Sequence, residues 1–280
     1  MIAPLLRLSL FVAALIGCQP AWAQNSGLER LTRPDQIVSW KAVGRVDIGR
    51  SGFCTGTLIA PDLVLTAAHC LFDEQGKPRP VDTLMFRAGY ADGVSIAESR
   101  VLRATAHESY DHRGDGKIEG KEIRYDVALL QLADPIQPTI APPFSVERPG
   151  NGTEVSVVSY ARGRSEALSW QRNCTVLGRQ AGLIAVDCDV TFGSSGAPVF
   201  DRSQGRARIV SLISGGGTYN DGVVAFGMEL PSLVSDLKAQ LRADRSVIGA
   251  ATKPGASVRR IAVGSGERAG GARFLKAPGN

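Results

Sequence analysis

The sequence predicts an all-β fold that ends in a single C-terminal helix. Short runs rich in Val, Ile, Leu and Thr recur between Gly, Pro and Asp residues, which is the pattern of strands separated by turns. The predicted strands cover residues 40–48, 57–59, 63–67, 83–89, 100–106, 127–132, 154–160, 183–186, 209–213 and 223–228. Only residues 231–246 carry apolar side chains at helical spacing, and they supply the predicted helix. Its apolar face consists of Leu233, Val234, Leu237 and Leu241.

The N-terminal segment, residues 1–23, is typical of a signal peptide. Arg7 precedes an apolar run over residues 8–16 that is too short to span a membrane, and Ala21-Trp22-Ala23 offers a cleavage site. An alternative is a lipoprotein signal, because Leu15-Ile16-Gly17-Cys18 resembles a lipobox that would lipidate Cys18. We therefore expect an exported protein, secreted or periplasmic, or in the second case lipid-anchored. No later segment is long and apolar enough to be a transmembrane helix.

The net charge of +5 does not come from the predicted domain, residues 24–247. The Gly- and Ala-rich tail, residues 248–280, holds six basic residues and one acidic residue, and the signal peptide adds one positive charge. The predicted domain between them therefore carries a net charge of −1. The tail has no sustained apolar period and is predicted to be disordered. The basic balance gives no reason to expect a nucleic-acid partner, and the predicted domain is long enough for one all-β enzyme or two small barrels.

A candidate nucleophile lies in the glycine-rich turn Thr191-Phe192-Gly193-Ser194-Ser195-Gly196-Ala197-Pro198. Glycines beside Ser195 allow backbone conformations that other residues avoid, so neighbouring N–H groups can converge on one point. Such donors stabilise a developing oxyanion. A serine hydroxyl needs an adjacent base that a third group orients. His69 is the candidate base, and Asp126, which precedes an apolar strand, is the candidate orienting carboxylate.

These motifs occur in the order His, Asp, Ser, and they resemble those of the trypsin/chymotrypsin family of serine endopeptidases. The bacterial branch that includes glutamyl endopeptidases is the most similar. The matching segments are Leu65-Thr66-Ala67-Ala68-His69-Cys70, Tyr125-Asp126-Val127-Ala128-Leu129-Leu130 and Gly193-Ser194-Ser195-Gly196. The match runs from about residue 40 to residue 237, most of the chain.

The resemblance implies two packed six-stranded antiparallel β-barrels, at about residues 38–134 and 152–230. The Pro- and Gly-rich segment 135–152 would link them, and the active site would lie in the crevice between them. It further implies an exported serine endopeptidase that hydrolyses peptide bonds through an acyl-enzyme. We expect protein or peptide substrates as partners. We expect no cofactor, and we expect the protein to be a monomer.

The resemblance also assigns roles to the residues of the site. Ser195 attacks the carbonyl, His69 takes its proton and returns it to the leaving amine, and Asp126 holds the imidazole. The backbone N–H groups of Gly193 and Ser195 form the oxyanion hole. Of the other carboxylates, Asp111, Asp115 and Asp134 lack the apolar strand that follows Asp126. The other histidines, His107 and His112, are predicted to be surface residues of loops or strand ends.

A second glycine-rich segment, Ile213-Ser214-Gly215-Gly216, matches the family's substrate strand. The resemblance implies that Ser214 supports the triad aspartate. It also implies that residues 214–216 bind the substrate as an added antiparallel strand. A plain glycine-rich turn after a strand is the alternative interpretation.

Four cysteines remain after Cys18, and they fall into two close pairs. In an exported chain, disulfides are the first expectation, and four cysteines allow three pairings. Proximity and the family resemblance both select Cys54–Cys70, and Cys174 and Cys188 flank an apparent hairpin. Metal ligation is the rival interpretation, but no second histidine has suitable spacing.

Asp189, six residues before Ser195, suggests cleavage after Arg or Lys. Trypsins keep the carboxylate of their primary pocket at this place, and Gly216 and Gly222 match positions that leave the pocket open. A buried carboxylate needs a partner such as a substrate cation. The glutamyl alternative lacks support here, because those enzymes place a histidine just before the position of Ser214 and this chain has Ile213.

Two departures from the family pattern concern the backbone near the nucleophile. Ser194 replaces the aspartate that captures a new amino terminus in animal trypsins, so that route of activation is not expected. Ser159-Tyr160-Ala161 replaces a Gly-aromatic-Gly step.

Three alternatives remain open at the level of sequence. The protein could be an inactive binding protein on the same scaffold, or an esterase that uses the same machinery. The loop at residues 111–122 fits much of a calcium-binding EF loop, with acidic residues at several ligand positions. However, Arg113 occupies a ligand position, so we favour a solvated loop.

Overall fold

Two antiparallel β-sheets of seven strands each form the framework of the described structure. In each sheet, six strands close into a barrel and the seventh pairs with one barrel strand at the edge. The computed structural model describes residues 27–50, 52–112, 120–152, 154–219 and 222–249. The predicted signal peptide with Cys18, most of the loop at 111–122 and the tail from residue 250 lie outside the described residues.

The first barrel consists of the six strands that follow the short strand β1 (Leu28–Arg30). They are β2 (Val43–Ile48), β3 (Gly52–Ala60), β4 (Leu63–Thr66), β5 (Leu84–Ala88), β6 (Ala97–Ala106) and β7 (Ala128–Leu132). The strand order is β6-β5-β2-β3-β4-β7, and pairing of β6 with β7 closes the barrel. Alternate side chains point to its interior, as in β5, where Leu84, Phe86 and Ala88 are buried.

The second barrel repeats this arrangement with six later strands. They are β8 (Glu154–Ala161), β9 (Arg164–Gln180), β10 (Leu183–Val186), β11 (Pro198–Asp201), β12 (Arg208–Tyr219) and β13 (Gly222–Met228). The strand order is β9-β10-β13-β12-β11-β8, and pairing of β8 with β9 closes the barrel. The predicted fold of two six-stranded antiparallel barrels is therefore confirmed.

The predicted C-terminal helix is also confirmed. Among the described residues the α-helices are α1 (Pro34–Ile37), α2 (Gly120–Tyr125) and α3 (Pro231–Arg242). The predicted apolar face of α3 is buried against the first barrel, although the helix ends at Arg242 and not at residue 246 as predicted. In the part of the chain that the structure describes, no helix combines the length and apolarity needed to cross a membrane.

The two edge strands connect each end of the domain to the opposite barrel. Strand β1, at the N-terminal end, pairs with β9 of the second barrel. Strand β14 (Val247–Gly249), at the C-terminal end, pairs with β6 of the first barrel. Ile248 and Gly249, which the sequence assigns to the disordered tail, therefore belong to the folded domain.

The prediction that His107 is a surface residue is wrong. His107 follows β6 and is only 6% exposed. Its ring stacks on Tyr125 at a centroid distance of 5.0 Å, and its Nε2 lies 3.7 Å from Asp236 Oδ2 on α3. Packing of α3 and α2 over the end of β6 therefore covers this histidine. His112 is partly buried and its ring stacks on Phe72.

Candidate active site

His69 and Asp126 are in direct contact. His69 lies in a 3-10 turn, Ala68–Leu71, directly after β4, and Asp126 lies between α2 and β7. The Nδ1 atom of His69 is 2.7 Å from Asp126 Oδ2, and the backbone N–H of His69 donates to Asp126 Oδ1 at 2.8 Å. Because β4 and β7 are paired neighbours, their ends bring the two residues together.

Ser214, from the second barrel, contacts the same carboxylate. Its hydroxyl donates to Asp126 Oδ2 at 2.5 Å. Ser214 lies at a β-bulge of β12, where the pairing with β13 shifts between Ile213 and Gly215. A bulge changes the direction of a side chain, which accounts for a strand residue pointing at the other barrel.

The environment of Asp126 keeps it ionised. Asp126 is only 3% exposed, and burial by itself would raise its pKa. The charge of His69 and the hydrogen bonds from His69 and Ser214 outweigh burial and lower the pKa of Asp126 below its usual value. For His69, whose side chain is 31% exposed, burial would lower the pKa, but the charge and hydrogen bond of Asp126 raise it. Each group thus stabilises the charged form of the other.

A disulfide holds the turn that carries His69. It joins Cys54 of β3 to Cys70, the residue after His69. A second disulfide joins Cys174 of β9 to Cys188, the residue before Asp189. Both pairings agree with the sequence analysis.

Ser195 lies in a turn that packs against β3 and against the end of β4, which leads to His69. The backbone N–H of Thr55 donates to the Ser195 carbonyl at 2.8 Å, and the N–H of Gly196 donates to Ile213 O at 2.7 Å. Gly196 has a φ of +77°, and a Cβ there would lie 2.3 Å from Thr55 O and 2.8 Å from Ala67 N. Only glycine allows this approach. Within the described residues the Ser195 hydroxyl makes no hydrogen bond, and in free enzymes catalytic contacts of this kind are often long.

The backbone of the turn presents two free donors. The carbonyl of Phe192 accepts a hydrogen bond from the N–H of Arg162 at 2.7 Å. Because the peptide is trans, the N–H of Gly193 points the opposite way. Gly193 has a φ of +95°, and a Cβ there would lie 2.3 Å from the Phe53 ring. No acceptor among the described residues pairs with the N–H of Gly193 or of Ser195, so both remain available for a substrate oxyanion.

The predicted substrate strand has an open edge. Strand β12 pairs with β11 only through residues 208–212, while Gly215 and Gly216 pair with β13 on the other side. Ile213 still exchanges backbone hydrogen bonds with Gly196 and Ala197, and beyond residue 213 this edge has no backbone partner among the described residues, which is what an added substrate strand requires. Gly222 begins β13 opposite Tyr219.

Asp189 is exposed, so the expectation of a buried carboxylate at this position is wrong. Its backbone N–H donates to Gln171 Oε1 at 2.7 Å. Its carboxylate makes no hydrogen bond or ion pair with any described residue. A Cβ at Gly216 would lie 3.0 Å from Cγ2 of Val190, the residue after Asp189, so β12 packs closely against this segment.

Sequence reasoning missed Arg164, the first residue of β9. Its guanidinium donates to the carbonyl and the hydroxyl of Ser159, both at 3.0 Å, and to Ser194 Oγ at 3.3 Å. Burial lowers the pKa of Arg164 below its usual value, and the charge of Asp189 opposes this effect. An arginine after a Gly turn resembles a surface residue. The available signal was that Ser159 and Ser194 both depart from the family pattern, and both are partners of Arg164.

Comparisons with known proteins agree with this geometry. Residues 54–208 match the family described as "Trypsin-like peptidase domain". A glutamyl endopeptidase of Bacillus licheniformis is 24% identical over 213 residues, which cover 70% of this chain and 63% of that protein. Serine protease 23 of Macaca mulatta is 29% identical over 189 residues, 58% of this chain and 48% of that one. The chain thus spans about half the length of the serine protease 23 relatives it matches.

Two solved structures have a similar fold. A Glu endopeptidase superposes with a TM-score of 0.62 at 20% identity, and it covers 76% of this chain and 95% of its own. The thermostable serine protease AL20, from an extremophilic microorganism, gives a TM-score of 0.58 at 21% identity, covering 72% of this chain and 98% of its own.

Proposed function

Because this chain belongs to the family of trypsin-like peptidase domains, we propose that it is a serine endopeptidase that works through an acyl-enzyme on Ser195. The observation that carries the proposal is the contact of Asp126 with both His69 and Ser214, next to the turn that bears Ser195.

The proposed mechanism follows from the hydrogen bonds of the site. The contact between Asp126 Oδ2 and His69 Nδ1 favours the tautomer with its proton on Nδ1, which leaves Nε2 free as the base. Ser195 Oγ attacks the substrate carbonyl carbon while His69 Nε2 takes the hydroxyl proton. His69 then gives this proton to the leaving amine, the C–N bond breaks, and an acyl-enzyme forms. Water repeats the sequence, which releases the acid and regenerates Ser195.

The oxyanion of each tetrahedral intermediate would lie between the N–H groups of Gly193 and Ser195. Both donors are unpaired within the described residues, and Arg162 holds the peptide of Gly193 from behind. Donors that are already oriented need little rearrangement as the charge develops.

We also propose that the protein is exported, with residues 1–23 removed. Support comes from the signal-like composition of this segment and from two disulfides, which form in oxidising compartments. N-terminal sequencing of the mature protein from its native host would test this. A start at Gln24 is expected. A lipid-modified Cys18 at the N-terminus would contradict the removal of residues 1–23 and would indicate a lipid-anchored protein.

For the primary specificity, the first candidate is cleavage after Arg or Lys. Asp189 supports it, because its exposed carboxylate has no partner for a hydrogen bond among the described residues. The second candidate is cleavage after Glu. The positive charge of Arg164 near Asp189 and the similarity to the B. licheniformis glutamyl endopeptidase favour it.

Four chromogenic peptides that differ only in Arg, Glu, Phe or Ala at P1 separate these candidates. The first candidate predicts a preference for Arg that Asp189→Ser abolishes. The second predicts a preference for Glu that Asp189→Ser leaves in place or strengthens. Preference for Phe or Ala would contradict both.

Casein digestion with mass-spectrometric mapping of the cleavage sites tests the endopeptidase itself. Internal cleavage of casein is expected. Hydrolysis of a small ester without any cleavage of casein would favour an esterase. Absence of both activities, and of reaction with a fluorophosphonate, would favour an inactive binding protein.

A further inference from the structure

Ser194 controls the direction of both oxyanion donors. We define the oxyanion loop as residues 191–195. Ser194 lies between the N–H groups of Gly193 and Ser195 and is only 1% exposed. Its N–H donates to Thr191 O at 2.9 Å, its hydroxyl accepts from the N–H of Thr191 at 3.4 Å, and its carbonyl accepts from the N–H of Ala197 at 2.9 Å. Any rotation of Ser194 therefore moves both donors.

A side chain from another strand reaches this buried hydroxyl. Arg164 starts β9, and its Cα pairs with that of Ala161 across the β8–β9 hairpin. One guanidinium nitrogen donates to Ser159 O and Oγ at 3.0 Å, and the other donates to Ser194 Oγ at 3.3 Å. The planar guanidinium thus connects the rigid end of β8 to the middle of the oxyanion loop.

Both sides of the Phe192–Gly193 peptide depend on the same hairpin. The N–H of Arg162, in the hairpin turn, holds the Phe192 carbonyl at 2.7 Å, and Arg164 holds Ser194 on the other side of Gly193. The position of Gly193 is therefore set from both neighbours by one β-turn of the second barrel.

A cation in this position has an energetic cost. Arg164 is partly buried, its hydrogen-bonded partners are neutral, and burial lowers its pKa. Asp189 is the carboxylate whose charge opposes that effect. Partly buried charges need paired or hydrogen-bonded surroundings, and here those surroundings include the oxyanion loop.

We propose that Arg164 is a positioning residue that holds the oxyanion loop in its donor-presenting conformation through Ser194. The proposal rests on the proposed serine endopeptidase function. It implies that Arg164, a side chain of the second barrel, orders the oxyanion loop.

The test replaces Arg164 by Met, which has similar length and no charge. It measures kcat and KM for the four P1 peptides, together with the rate of fluorophosphonate labelling. We expect kcat to fall about 10- to 100-fold for every P1 residue, because displaced donors no longer meet the oxyanion. The labelling rate should fall by a similar factor, with KM changed less than about threefold. Arg164→Lys should recover part of the rate, since an ammonium still offers donors to one serine.

Ser194→Ala is a second variant that leaves Arg164 in place. It should lower kcat in the same way, and the double variant should lose little more than either single one, because the two residues act as a unit. Arg172→Met is the matched control. Arg172 lies on the same strand, is paired with Glu29 on the surface, and its loss should leave kcat within about twofold.

The outcomes separate this proposal from the one on which it rests. Wild-type rates in folded Arg164→Met or in Ser194→Ala would overturn the positioning role. A loss confined to the peptide with Glu at P1 would overturn it too, in favour of direct binding of an acidic side chain. If Arg164→Met fails to fold by circular dichroism, Ser194→Ala decides alone. A wild-type protein that neither labels nor cleaves would overturn the endopeptidase proposal itself, and this proposal with it.

Discussion

Ser214 and Asp126 are 88 residues apart in the chain and belong to different barrels, yet the Ser214 hydroxyl donates to Asp126 Oδ2 at 2.5 Å. This oxygen is also the one that faces His69 Nδ1. The hydrogen bond therefore joins the two barrels at the point where the chemistry is proposed, and it helps to keep the buried carboxylate ionised.

Ser214→Ala should lower the free energy of unfolding by about 1.5–3 kcal/mol, the usual range for a hydrogen bond to a charged group. Urea unfolding measures this change. Ser156→Ala is the matched control, because Ser156 is also buried but its hydroxyl has no partner among the described residues. Its replacement removes a buried hydroxyl that makes no hydrogen bond there, so it should not lower stability. Equal effects of the two substitutions would contradict the importance of this contact.

The activity should follow the raised pKa of His69. Because the mechanism needs neutral His69, kcat/KM should rise with pH around a midpoint above the ordinary value of 6.5. Asp126→Asn removes the charge that raises this pKa, so the midpoint should fall, and kcat should drop on the order of 10⁴-fold. A pH–rate profile of both proteins gives the two midpoints. An unchanged midpoint in the variant would argue against the pairing of His69 with Asp126.

The same pair predicts how stability depends on pH. His69 has a raised pKa, so its contribution is complete below pH 6.5 and is lost as the pH rises through that raised value. Asp126 has a lowered pKa, so its contribution is complete above its ordinary 3.8 and is lost as the pH falls through the lowered value. The stability difference between wild type and Asp126→Asn should therefore be larger at about pH 5 than at about pH 9. Urea unfolding at the two pH values tests this, and the opposite order would contradict it.

Gly196 should tolerate no side chain. In Gly196→Ala the positive φ should lower the free energy of unfolding by about 1–2 kcal/mol. The contact of the Cβ with Thr55 O should lower it by a further cost of about 1–3 kcal/mol, because the site is overpacked. Gly205→Ala is the control, since Gly205 has a φ of +88° and a Cβ there would meet no atom within 4 Å, so only the first cost applies. Thermal unfolding of both variants measures the difference. Equal destabilisation would show that the turn at Ser195 relaxes more easily than the contacts indicate.

The barrel strands were largely predictable from sequence because alternating apolar residues between turn residues are a local signal. Strand β9 was missed although it has 17 residues, since Arg, Gln and Asn interrupt its apolar pattern. The short strands β1 and β14 were missed because their partners, β9 and β6, lie in distant parts of the chain. Pairing of this kind depends on tertiary structure.

The candidate site was predictable where motifs carry the chemistry and not where tertiary contacts decide. His69, Asp126 and Ser214 come together as the resemblance implies. The burial of His107 depends on α2 and α3 packing over β6, and the contact of Arg164 with Ser194 spans 30 residues. Neither leaves a periodic signal in the sequence.

The most direct test of the proposed nucleophile is the site of reaction with a fluorophosphonate, located by peptide mapping of the mature protein. We expect one phosphonylated residue, Ser195, and we expect Ser195→Ala to remain unlabelled and to lose on the order of a million-fold in kcat. A label on another residue, or a Ser195→Ala variant that keeps a tenth or more of the wild-type rate, would contradict the assignment of Ser195.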